Sequence, residues 1–379
     1  MGQRIRVYAR RMTSQHEGWD AAPAAAEWDG SDFRADIEAT LEEFVGAHAG
    51  WLDRLGPDAQ RLVEHARVSV SGGKRFRAAF CWWGHHAVAE PAPADRASLL
   101  RACSALELLH ASALVHDDYM DASDVRRGHP ATHRAFEKLH RQQGWSASPE
   151  QYGASAAILL GDLLLSWSDE MLRTCGLPAD RVLEALGYFD LTRSEVVTGQ
   201  FLDVSAQARG AADVDTAMTV LRYKSAKYSI ERPLHIGAAL AGASPEMITQ
   251  LSRFGLPLGE AFQLRDDLLG VYGDPAVTGK PAGDDLIEGK RTVLVALALD
   301  ALPDSDAQVL DAALGTALEP EQVEHLCRLI DASGARLQVE GVIRQLTERA
   351  LAALRAADVT DRASGVLAGL AAQVTQRAV

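Results

Sequence analysis

Helical periodicity runs through almost the whole chain, and the period-two alternation typical of strands is absent. From about residue 32, apolar residues recur at the spacing of one helix face, as in FRADIEATLEEFVGAHAGWL and PDAQRLVEHARVSV. Pro57 stands near the expected N-terminus of the second segment. Because no segment predicts a sheet, we expect an all-α fold. In a helical bundle of this kind, site residues come from facing helices around a central cavity.

The organisation of the chain favours one large domain. A length of 379 residues alone suggests two or three domains, but no obvious linker follows residue 32. QQGWSASPEQYG (142–153) predicts a loop between two helices. Residues 1–30, which include AAPAAAEWDG, have no sustained amphipathic period and predict a flexible tail. We therefore expect a tail at 1–30 and a single helical domain at 31–379.

The composition excludes several classes of protein. With 38 basic and 52 acidic residues, the net charge of −14 disfavours a general nucleic-acid surface. The N-terminal segment lacks the apolar core of a secretory signal, and no apolar run is long enough to predict a membrane span. The four cysteines form no C-x-x-C pair, so free thiols in a reducing cytoplasm are expected rather than disulfides or zinc ligands. They are Cys81, Cys103, Cys175 and Cys327.

The first dense group of acidic residues follows the apolar segment ELLHASALVH. On a helix, Asp117 and Asp121 lie one turn apart on one face, with Asp118 about 100° away. Like charges at this spacing destabilise a helix, and the helix dipole disfavours anions at its C-terminus. A cation that offsets this charge is expected. Closely spaced carboxylates suit Mg²⁺ that is bound together with substrate phosphates.

Two alternative roles for this acidic cluster fit the sequence less well. A solvated acidic helix end is common, but ELLHASALVH is too apolar for a surface helix. An EF-hand is excluded because DDYMDASDVRRG lacks the glycine required at loop position 6. Arg126 and Arg127 can form salt bridges with the acids, or bind anionic oxygen in bidentate fashion once metal occupies the carboxylates. Metal and arginine around one pocket indicate a polyphosphate ligand.

A second acidic pair and several basic segments complete the candidate residues. Asp266 and Asp267 follow another apolar helix in FQLRDDLLGVYGD. A Walker A loop does not fit the next segment, since five residues separate Gly273 from Gly279 and proline follows the lysine. Each basic segment alone is more typical of a surface than of a site, but SGGKRFRAA stands at a predicted helix start, which favours anions. The basic residues are Lys74, Arg75, Arg77, Lys224, Lys227, Lys280, Lys290 and Arg291.

Together these segments resemble the trans-isoprenyl diphosphate synthases of the polyprenyl synthetase family, and most closely the bacterial geranylgeranyl diphosphate synthases. The matching segments are GGKRFR, ELLHASALVHDDYMDASDVRRGHPATH, LLGD, GQFLD, YKSAK, FQLRDD and GKPAGDDLIEGKRT. They occur in family order and span about residues 40–300. The resemblance implies the isoprenoid synthase type of helical bundle with a central catalytic cavity.

The resemblance also implies a role for each matching residue. The direct magnesium ligands would be Asp117, Asp121 and Asp266. The catalytic set would be Asp117, Asp118, Asp121, Lys224, Asp266 and Asp267. Isopentenyl diphosphate would be bound by Lys74, Arg77, His110 and Arg127. The allylic diphosphate would be bound by Arg126, Gln200, Lys224, Gln263 and Lys280, with support from Asp203. About three Mg²⁺ ions per active site, a homodimer and a cytoplasmic location are also implied.

The chain departs from the family pattern at a few positions. The second acidic motif, often D-D-x-x-D in the family, is DDLLG here, so Gly270 replaces the last aspartate. Asp274 stands four residues later and could coordinate metal only if the helix bends. The Lys-Thr pair of the family is Lys224-Ser225, which keeps a cation and a hydroxyl. The N-terminal tail has no counterpart in the resemblance.

The implied reaction is a head-to-tail (1′-4) condensation of an allylic diphosphate with isopentenyl diphosphate, which releases diphosphate. One turn before Asp117, Ser112 and Ala113 are small, and a turn of about 5.4 Å roughly matches one isoprene unit. Two turns back, Leu109 and its neighbour Leu108 are expected to close the pocket. Trp167 on the neighbouring apolar helix could narrow it, although core packing is the commoner role. We therefore expect geranylgeranyl diphosphate (C20), with C25 or longer products as the alternative.

Two other functions compete with this interpretation. A class I terpene cyclase would use the same metals and ionisation but needs no isopentenyl diphosphate site, and GGKRFR and His110 argue against it. A non-catalytic subunit of a heteromeric synthase would be marked by lost acidic motifs, which are largely present here. An assay with and without isopentenyl diphosphate separates a synthase from a cyclase.

Overall fold

The computed structural model describes residues 30–210, 213–273 and 282–376. Within these ranges the chain is almost wholly helical, and the only strands form a short antiparallel ribbon, β1 (Val125–Arg126) with β2 (His129–Pro130). The predicted all-α fold is confirmed. The predicted tail, apart from Gly30, lies outside the described residues, as do Asp274 and Lys280.

The described residues cluster into two compact units. The first unit comprises Trp28–Leu186 and Ile236–Gly242, as far as the structure describes them. The second comprises the described residues of Gly187–His235 and Ala243–Val379. A single domain over residues 31–379 stays a prediction.

The first unit is built from α-helices with two short 3₁₀ turns. Its elements are α1 (Gly30–Leu52), a 3₁₀ turn (Asp53–Leu55), α2 (Pro57–Val70), α3 (Phe76–Val88), a 3₁₀ turn (Pro93–Asp95), α4 (Arg96–Met120), α5 (Thr132–Gln143), α6 (Pro149–Arg173) and the start of α7 (Ala179–Arg209). The helix α4 is buried on most sides, with Leu99, Leu106 and Leu108 at most 1% exposed. A helix that is apolar all round packs at the centre of its unit, and this one ends at the acidic cluster.

Three of the four cysteines lie in the core of the first unit. Cys81, Cys103 and Cys175 are buried free thiols, as predicted, while Cys327 in the second unit is half-buried. Burial and a hydrogen bond with Cys81 raise the pKa of the Cys103 thiol well above its usual range. These thiols pack as small apolar side chains rather than as nucleophiles.

The second unit contains the remaining helices. They are the rest of α7, α8 (Val214–Val220), a π-helical segment (Leu221–Glu231), α9 (Arg232–Ala241), α10 (Pro245–Tyr272), α11 (Asp284–Ile287), α12 (Val293–Ala301), α13 (Asp304–Ala313), α14 (Pro320–Ala332), α15 (Ala335–Arg355) and α16 (Asp361–Thr375). The last residues of α9 belong to the first unit. The predicted helices after residue 305 are present.

The core of the second unit forms around the C-terminal half of α10. Leu264 and Leu268 of α10 pack in one apolar cluster with Leu286 of α11 and with the buried face of α12. The α10 helix begins at the Ser244–Pro245 pair, where the Ser244 hydroxyl accepts a hydrogen bond from the Met247 N–H at 3.3 Å. This capping pattern is typical of a helix N-terminus. The packing fixes the end of α10, which carries Asp266 and Asp267.

One stretch of the described chain has the length and composition of a membrane span. It is Pro93–Met120, with a mean hydropathy of 1.3, and 72% of its most apolar window is buried inside the protein. Core helices of soluble proteins have the same length and composition. The burial of α4 therefore favours a core helix.

Candidate active site

A tight hairpin follows the first acidic cluster and orients two arginines. Arg126 pairs with His129 across the ribbon, and the two residues between them, Arg127 and Gly128, have φ of 51° and 78°. Positive φ at both central positions is the requirement of a type I′ hairpin turn. No period-two pattern in the sequence predicted this ribbon. The turn reverses the chain, so Arg126 points back to α4 and Arg127 points to another loop.

Arg126 is held by the acidic end of α4. Its Nε donates a hydrogen bond of 2.8 Å to Oδ1 of Asp118, and its Nη2 contacts the same oxygen. The Asp118 side chain is only 4% exposed, whereas that of Asp117 is 19% exposed and lies 3.8 Å from Arg126 Nη2. The α4 helix ends at Met120, and Asp121 is its C-cap. The three predicted acids therefore lie at one helix end, with Asp118 deepest.

Arg127 connects the hairpin to the GGKRFR loop. Its Nη1 donates a hydrogen bond of 2.7 Å to the backbone carbonyl of Ser71. Gly73 has a φ of 95°, and a β-carbon there would lie 2.9 Å from Arg127 Nη2. The left-handed conformation favours glycine at this position, and the absence of a β-carbon lets the Arg127 guanidinium approach the loop backbone.

His110 lies within a group of arginines. Burial and then the positive charges of Arg77, Arg127 and Arg126 lower the pKa of His110 well below its usual range. A neutral imidazole surrounded by guanidinium groups adds no charge of its own but can donate or accept a hydrogen bond. The structure therefore brings together three of the four residues predicted to bind isopentenyl diphosphate. The fourth, Lys74, is exposed in the loop between α2 and α3, next to Arg75.

Arg75 differs from its basic neighbours. Its side chain is buried and donates to Glu107 at 3.2 Å, and it also contacts Glu38. Its φ of 55° is a left-handed conformation, unusual for a residue with a side chain. The Arg75 guanidinium joins α1, α4 and the loop through a buried ion pair with Glu107 and a partly exposed one with Glu38. These partners are distant in sequence and could not be predicted from local patterns.

The donor chemistry at the end of α4 fits magnesium. Asp117, Asp118 and Asp121 offer carboxylate oxygens, the hard ligands that Mg²⁺ prefers. Among residues 30–210, 213–273 and 282–376, no three acidic, histidine or cysteine side chains already converge on one metal position. Mg²⁺ commonly takes only one or two protein carboxylates and completes its shell with water and phosphate oxygens, so a complete protein cage is not required.

In the second unit, the π-helical segment positions Lys224. Its Nζ donates a hydrogen bond of 2.6 Å to Oδ2 of Asp203 on α7. A β-carbon on Gly199 would overlap the backbone of Tyr223 and Lys224, so the two segments approach closely there. The sequence predicted continuous α-helix through this segment, whereas the structure has a π-helix over Leu221–Glu231. Such turns are frequent at functional sites.

Two further residues are predicted to bind the allylic diphosphate. Gln200 lies near Asp203 on α7, and Gln263 lies on α10. Gln200 is half-buried on α7, three residues before Asp203. Gln263 donates a hydrogen bond of 2.8 Å to Oδ1 of Asp267. Lys280 lies outside the described residues. Within the second unit, these candidate residues form two hydrogen-bonded pairs, Lys224 with Asp203 and Gln263 with Asp267; their role in binding the diphosphate stays a prediction.

The two acids of the second motif differ in environment. Asp266 is half-buried, whereas Asp267 is buried. Burial and then the nearby charge of Asp285 raise the pKa of Asp267 to about 8. Gly270 stands where the family often has a further acid, and the carboxylate of Asp285 lies against its Cα. Asp285 was not among the site residues predicted from the sequence.

The residues of the predicted chain-length pocket lie on α4. Leu109 is 3% exposed and Ala113 is half-buried. Ser112 is buried, and its hydroxyl donates a hydrogen bond of 2.7 Å to the Gly161 carbonyl on α6. Trp167 packs edge-on against Phe44 and is core, as the commoner interpretation expected.

Comparison with known proteins gives three informative matches in addition to a family match. The chain matches the polyprenyl synthetase family model over residues 59–330. It is 33% identical over 265 residues to the geranylfarnesyl diphosphate synthase of Natronomonas pharaonis, covering 66% of this chain and 73% of that protein. It is 28% identical over 345 residues to the (2E,6E)-farnesyl diphosphate synthase of Mycobacterium bovis, covering 90% and 87%.

The third match is a crystal structure. The geranylgeranyl pyrophosphate synthase of Corynebacterium glutamicum, complexed with isoprenyl diphosphate and magnesium, superposes with a TM-score of 0.90 and is 41% identical. The match covers 93% of this chain and 100% of that one. The names of these three proteins differ in the length of the prenyl chain.

Proposed function

Because the chain belongs to the polyprenyl synthetase family and is a trans-prenyltransferase, we propose that it makes geranylgeranyl diphosphate. In this reaction it would condense an allylic diphosphate with isopentenyl diphosphate and release diphosphate. The roles of individual residues in this reaction are part of the proposal.

One observation carries the proposal of a condensing enzyme. The helix α4 bears His110 within a group of arginines and, two turns later, the acidic cluster at its C-terminal end. The arginine group suits one diphosphate without metal, and the acids suit a second diphosphate with metal. A cyclase, which has one diphosphate substrate, requires only the second of these sites.

The basic residues of the first unit bind isopentenyl diphosphate in this proposal. Arg77 and Arg127 hold the diphosphate, with Lys74 of the exposed loop as a further cation and His110 as a neutral hydrogen-bonding partner. The Arg127 contact with the Ser71 carbonyl keeps the loop and the hairpin together. Fixing the second substrate in this way lowers the entropic cost of bringing its double bond to the reacting carbon.

The acidic residues and Lys224 serve the allylic substrate. Bound Mg²⁺, about three ions in the family pattern, supplies charge neutralisation of the leaving diphosphate. Asp117, Asp121 and Asp266 are the proposed ligands. Asp118 orients Arg126 toward the same end of α4. Four further side chains complete the contacts with the allylic diphosphate in this proposal: Gln200, Lys224, Gln263 and Lys280. Lys224 is hydrogen-bonded to Asp203, and Gln263 to Asp267.

The bonds that change are those of the substrates. The C–O bond of the allylic diphosphate breaks and leaves an allylic carbocation. The double bond of isopentenyl diphosphate forms the new C–C bond, and the released diphosphate accepts the proton that is lost. Residues of the chain stabilise the separating charges and exclude water, since preorganised donors act most strongly where water is absent.

A C20 product is supported by the small residue at position 113. Ala113 is half-buried one turn before Asp117, which leaves room for a chain longer than farnesyl, and Leu109 is buried one turn further back. The 41% identity to a geranylgeranyl pyrophosphate synthase agrees with this length. The likeness to a geranylfarnesyl diphosphate synthase keeps a product one isoprene unit longer as the second candidate.

A homodimer in the cytoplasm, with residues 31–379 as one catalytic domain, is also part of the proposal. One face of α7 carries exposed apolar residues within about 140° of arc, which suits a self-complementary interface. They are Leu191, Val197, Phe201 and Val204, which are between 37% and 68% exposed.

The test is a product assay with magnesium. The protein is incubated with dimethylallyl or farnesyl diphosphate, with and without isopentenyl diphosphate, and products are separated by chain length. Geranylgeranyl diphosphate that forms only with isopentenyl diphosphate supports the proposal. A hydrocarbon formed from the allylic substrate alone would indicate a cyclase. No turnover by the purified chain under either condition would favour a non-catalytic subunit.

A further inference from the structure

The π-helical segment meets a glycine on each of two flanking helices. On α7, a β-carbon on Gly199 would lie 2.4 Å from the backbone nitrogen of Lys224. On α10, a β-carbon on Gly259 would lie 2.4 Å from the carbonyl oxygen of Ala226. Both distances are shorter than a real carbon contact permits, so a larger residue at either position would push the segment away. Close backbone contact therefore fixes the segment on two sides.

An acidic side chain near each glycine binds a basic side chain of the segment. On α10, Glu260 is the residue after the glycine, and its Oε1 accepts a hydrogen bond of 2.7 Å from Arg222 Nε. On α7, Glu195 lies one turn before the glycine, and its Oε1 accepts a hydrogen bond of 2.7 Å from Lys227 Nζ. The part of the segment that carries Lys224 is thus tied to α10 on one side and to α7 on the other.

Glu195 makes the larger set of contacts. Besides Lys227, it binds Arg232, the residue that follows the segment, through Nε at 2.7 Å and Nη2 at 2.8 Å. These three side chains are between 10% and 14% exposed, so salt and water screen their charges little. Arg232 Nη1 donates a hydrogen bond of 3.1 Å to Nδ1 of His235, and the Ser252 hydroxyl lies 2.9 Å from the other ring nitrogen. One carboxylate therefore anchors the C-terminal end of the segment.

The face of α7 that holds the segment also holds the Lys224 side chain. Glu195, Gly199 and Asp203 stand four residues apart and share this face. Along it, Glu195 binds Lys227, the glycine receives the Lys224 backbone, and Asp203 accepts a hydrogen bond of 2.6 Å from Lys224 Nζ. The two acids are about 12 Å apart along the helix axis. A shift of the segment along α7 would therefore break both contacts of Lys224 together.

We propose that Glu195 and Glu260 are positioning residues, which hold the π-helical segment at the place where Lys224 meets the allylic diphosphate. The inference rests on the proposed function, in which Lys224 contacts that diphosphate and neither glutamate does. A misplacement of about 1 Å caused by a residue far from the chemistry can cost about 100-fold in rate. Loss of one of the two ties should weaken allylic binding by about tenfold.

Glu195→Gln and Glu260→Gln keep the shape of the side chain and remove its charge. Calorimetry with Mg²⁺ measures the binding of a non-reactive thio analogue of an allylic diphosphate, and a separate titration measures the binding of isopentenyl diphosphate. Each variant should bind the allylic analogue about tenfold more weakly. Each should bind isopentenyl diphosphate like the wild type, because the residues proposed to bind that substrate belong to the first unit.

The matched control is Ser252→Ala, which removes the hydroxyl next to His235 at the other end of the same network. It should lower the melting temperature and leave both affinities unchanged, because it leaves the contacts of Glu195 with the segment in place.

Two double variants separate positioning from a general loss of stability. In a Lys224→Met background, Glu195→Gln should lower the melting temperature but cause no further loss of allylic affinity, since residues that act through one group are non-additive. Glu195→Gln/Lys227→Met also removes a cation that the lost acid balanced. It should recover melting temperature, because an unbalanced buried charge is destabilising, while its allylic affinity stays low.

Four results would overturn the proposal: wild-type allylic affinity in either glutamine variant, an equal loss of isopentenyl diphosphate binding, an equal loss of allylic affinity in Ser252→Ala, or a further tenfold loss in the Lys224→Met background. Recovery of both stability and allylic affinity in Glu195→Gln/Lys227→Met would overturn it as well. If Lys224→Met binds the analogue like the wild type, the proposed role of Lys224 fails. If Lys224→Met binds weakly and the glutamine variants bind normally, only this inference fails.

Discussion

Ser112 on α4 donates a hydrogen bond of 2.7 Å to the backbone carbonyl of Gly161 on α6. A side chain on Gly161 would overlap the imidazole of His116, so α4 and α6 approach closely at this glycine. Because the hydroxyl of Ser112 is engaged by α6, the two small residues one turn before Asp117 are not equivalent. Ala113, half-buried, is the better candidate for a contact with the growing prenyl chain.

Ala113→Phe should shorten the product, because an aromatic ring would fill space for about one isoprene unit. Farnesyl diphosphate is the expected main product, measured by chromatography of the dephosphorylated alcohols. Ser112→Ala is the control. It should keep the product and lower the free energy of unfolding by about 1 kcal/mol, through the lost hydrogen bond. A changed product from Ser112→Ala with an unchanged one from Ala113→Phe would reverse the two assignments.

Lys224 and Asp203 should act as a coupled pair. Lys224→Met removes the cation and should lower kcat/KM for the allylic substrate by about 10- to 100-fold. Asp203→Asn should cost less, and the double variant should be no worse than Lys224→Met, since contacting residues are non-additive. Lys227→Met, which removes a cation bound to Glu195 at 2.7 Å in the same segment, is the comparison. Additive losses at Lys224 and Asp203 would show that they act separately.

The buried His235 should make the protein sensitive to acid. Burial and the charge of Arg232 lower its pKa to about 3. Below pH 6.5 the unfolded chain binds a proton at this residue that the folded protein does not bind until near pH 3. Stability from the neutral histidine is therefore complete above pH 6.5 and is lost as the pH falls toward 3.

His235→Gln tests this dependence by denaturant unfolding at pH 6.5 and pH 5. The wild type should lose about 2 kcal/mol more than the variant over this interval, since one proton per molecule corresponds to about 1.4 kcal/mol per pH unit. His325→Gln, at an exposed position, should follow the wild type. Parallel curves for all three proteins would contradict the prediction.

Phe201→Lys should dissociate the proposed dimer, because a charge at the centre of the α7 stripe cannot be buried without a partner. Phe201 is 68% exposed in the single chain. Light scattering after size-exclusion chromatography measures the mass. Leu337→Lys, at an isolated apolar residue of α15 that is 77% exposed, should leave the mass unchanged. Equal masses for wild type and Phe201→Lys would move the interface elsewhere.

Helices with strong terminal signals were predictable from the sequence. PDAQRLVEHARVSV coincides with α2, where Pro57 is the first residue. The start of α6 was missed, because residues 142–153 predicted a loop while the helix begins at Pro149. The signal was present: Ser148 accepts a hydrogen bond of 3.1 Å from the Gln151 N–H, and proline follows it.

Backbone features without a strong local signal were not predictable. Arg127 adopts positive φ in the hairpin although arginine has no preference for it, and only Gly128 marked the turn. The π segment barely alters the apolar pattern, and its close neighbours Gly199 and Gly259 lie on other helices. These features depend on packing, which sequence periodicity does not record.

In the candidate site, too, a pairing between residues close in sequence was predictable, whereas contacts between distant residues were not. Asp118 and Arg126 are eight positions apart, so their pairing could be foreseen as a possibility from the sequence. Arg75 was grouped with Lys74 and Arg77, but it is bound to Glu107, 32 positions away. The contact of Asp285 with Gly270 is also tertiary, so the sequence showed only a missing acid.

The buried thiols of the first unit have a practical consequence for measuring its opening. An alkylating reagent can modify Cys81, Cys103 or Cys175 only after their shared core is exposed, because burial both blocks access and disfavours the thiolate. Native-state alkylation rates therefore report the free energy of opening of that core without an introduced label. Cys327 on α14 offers a separate reporter for the second unit.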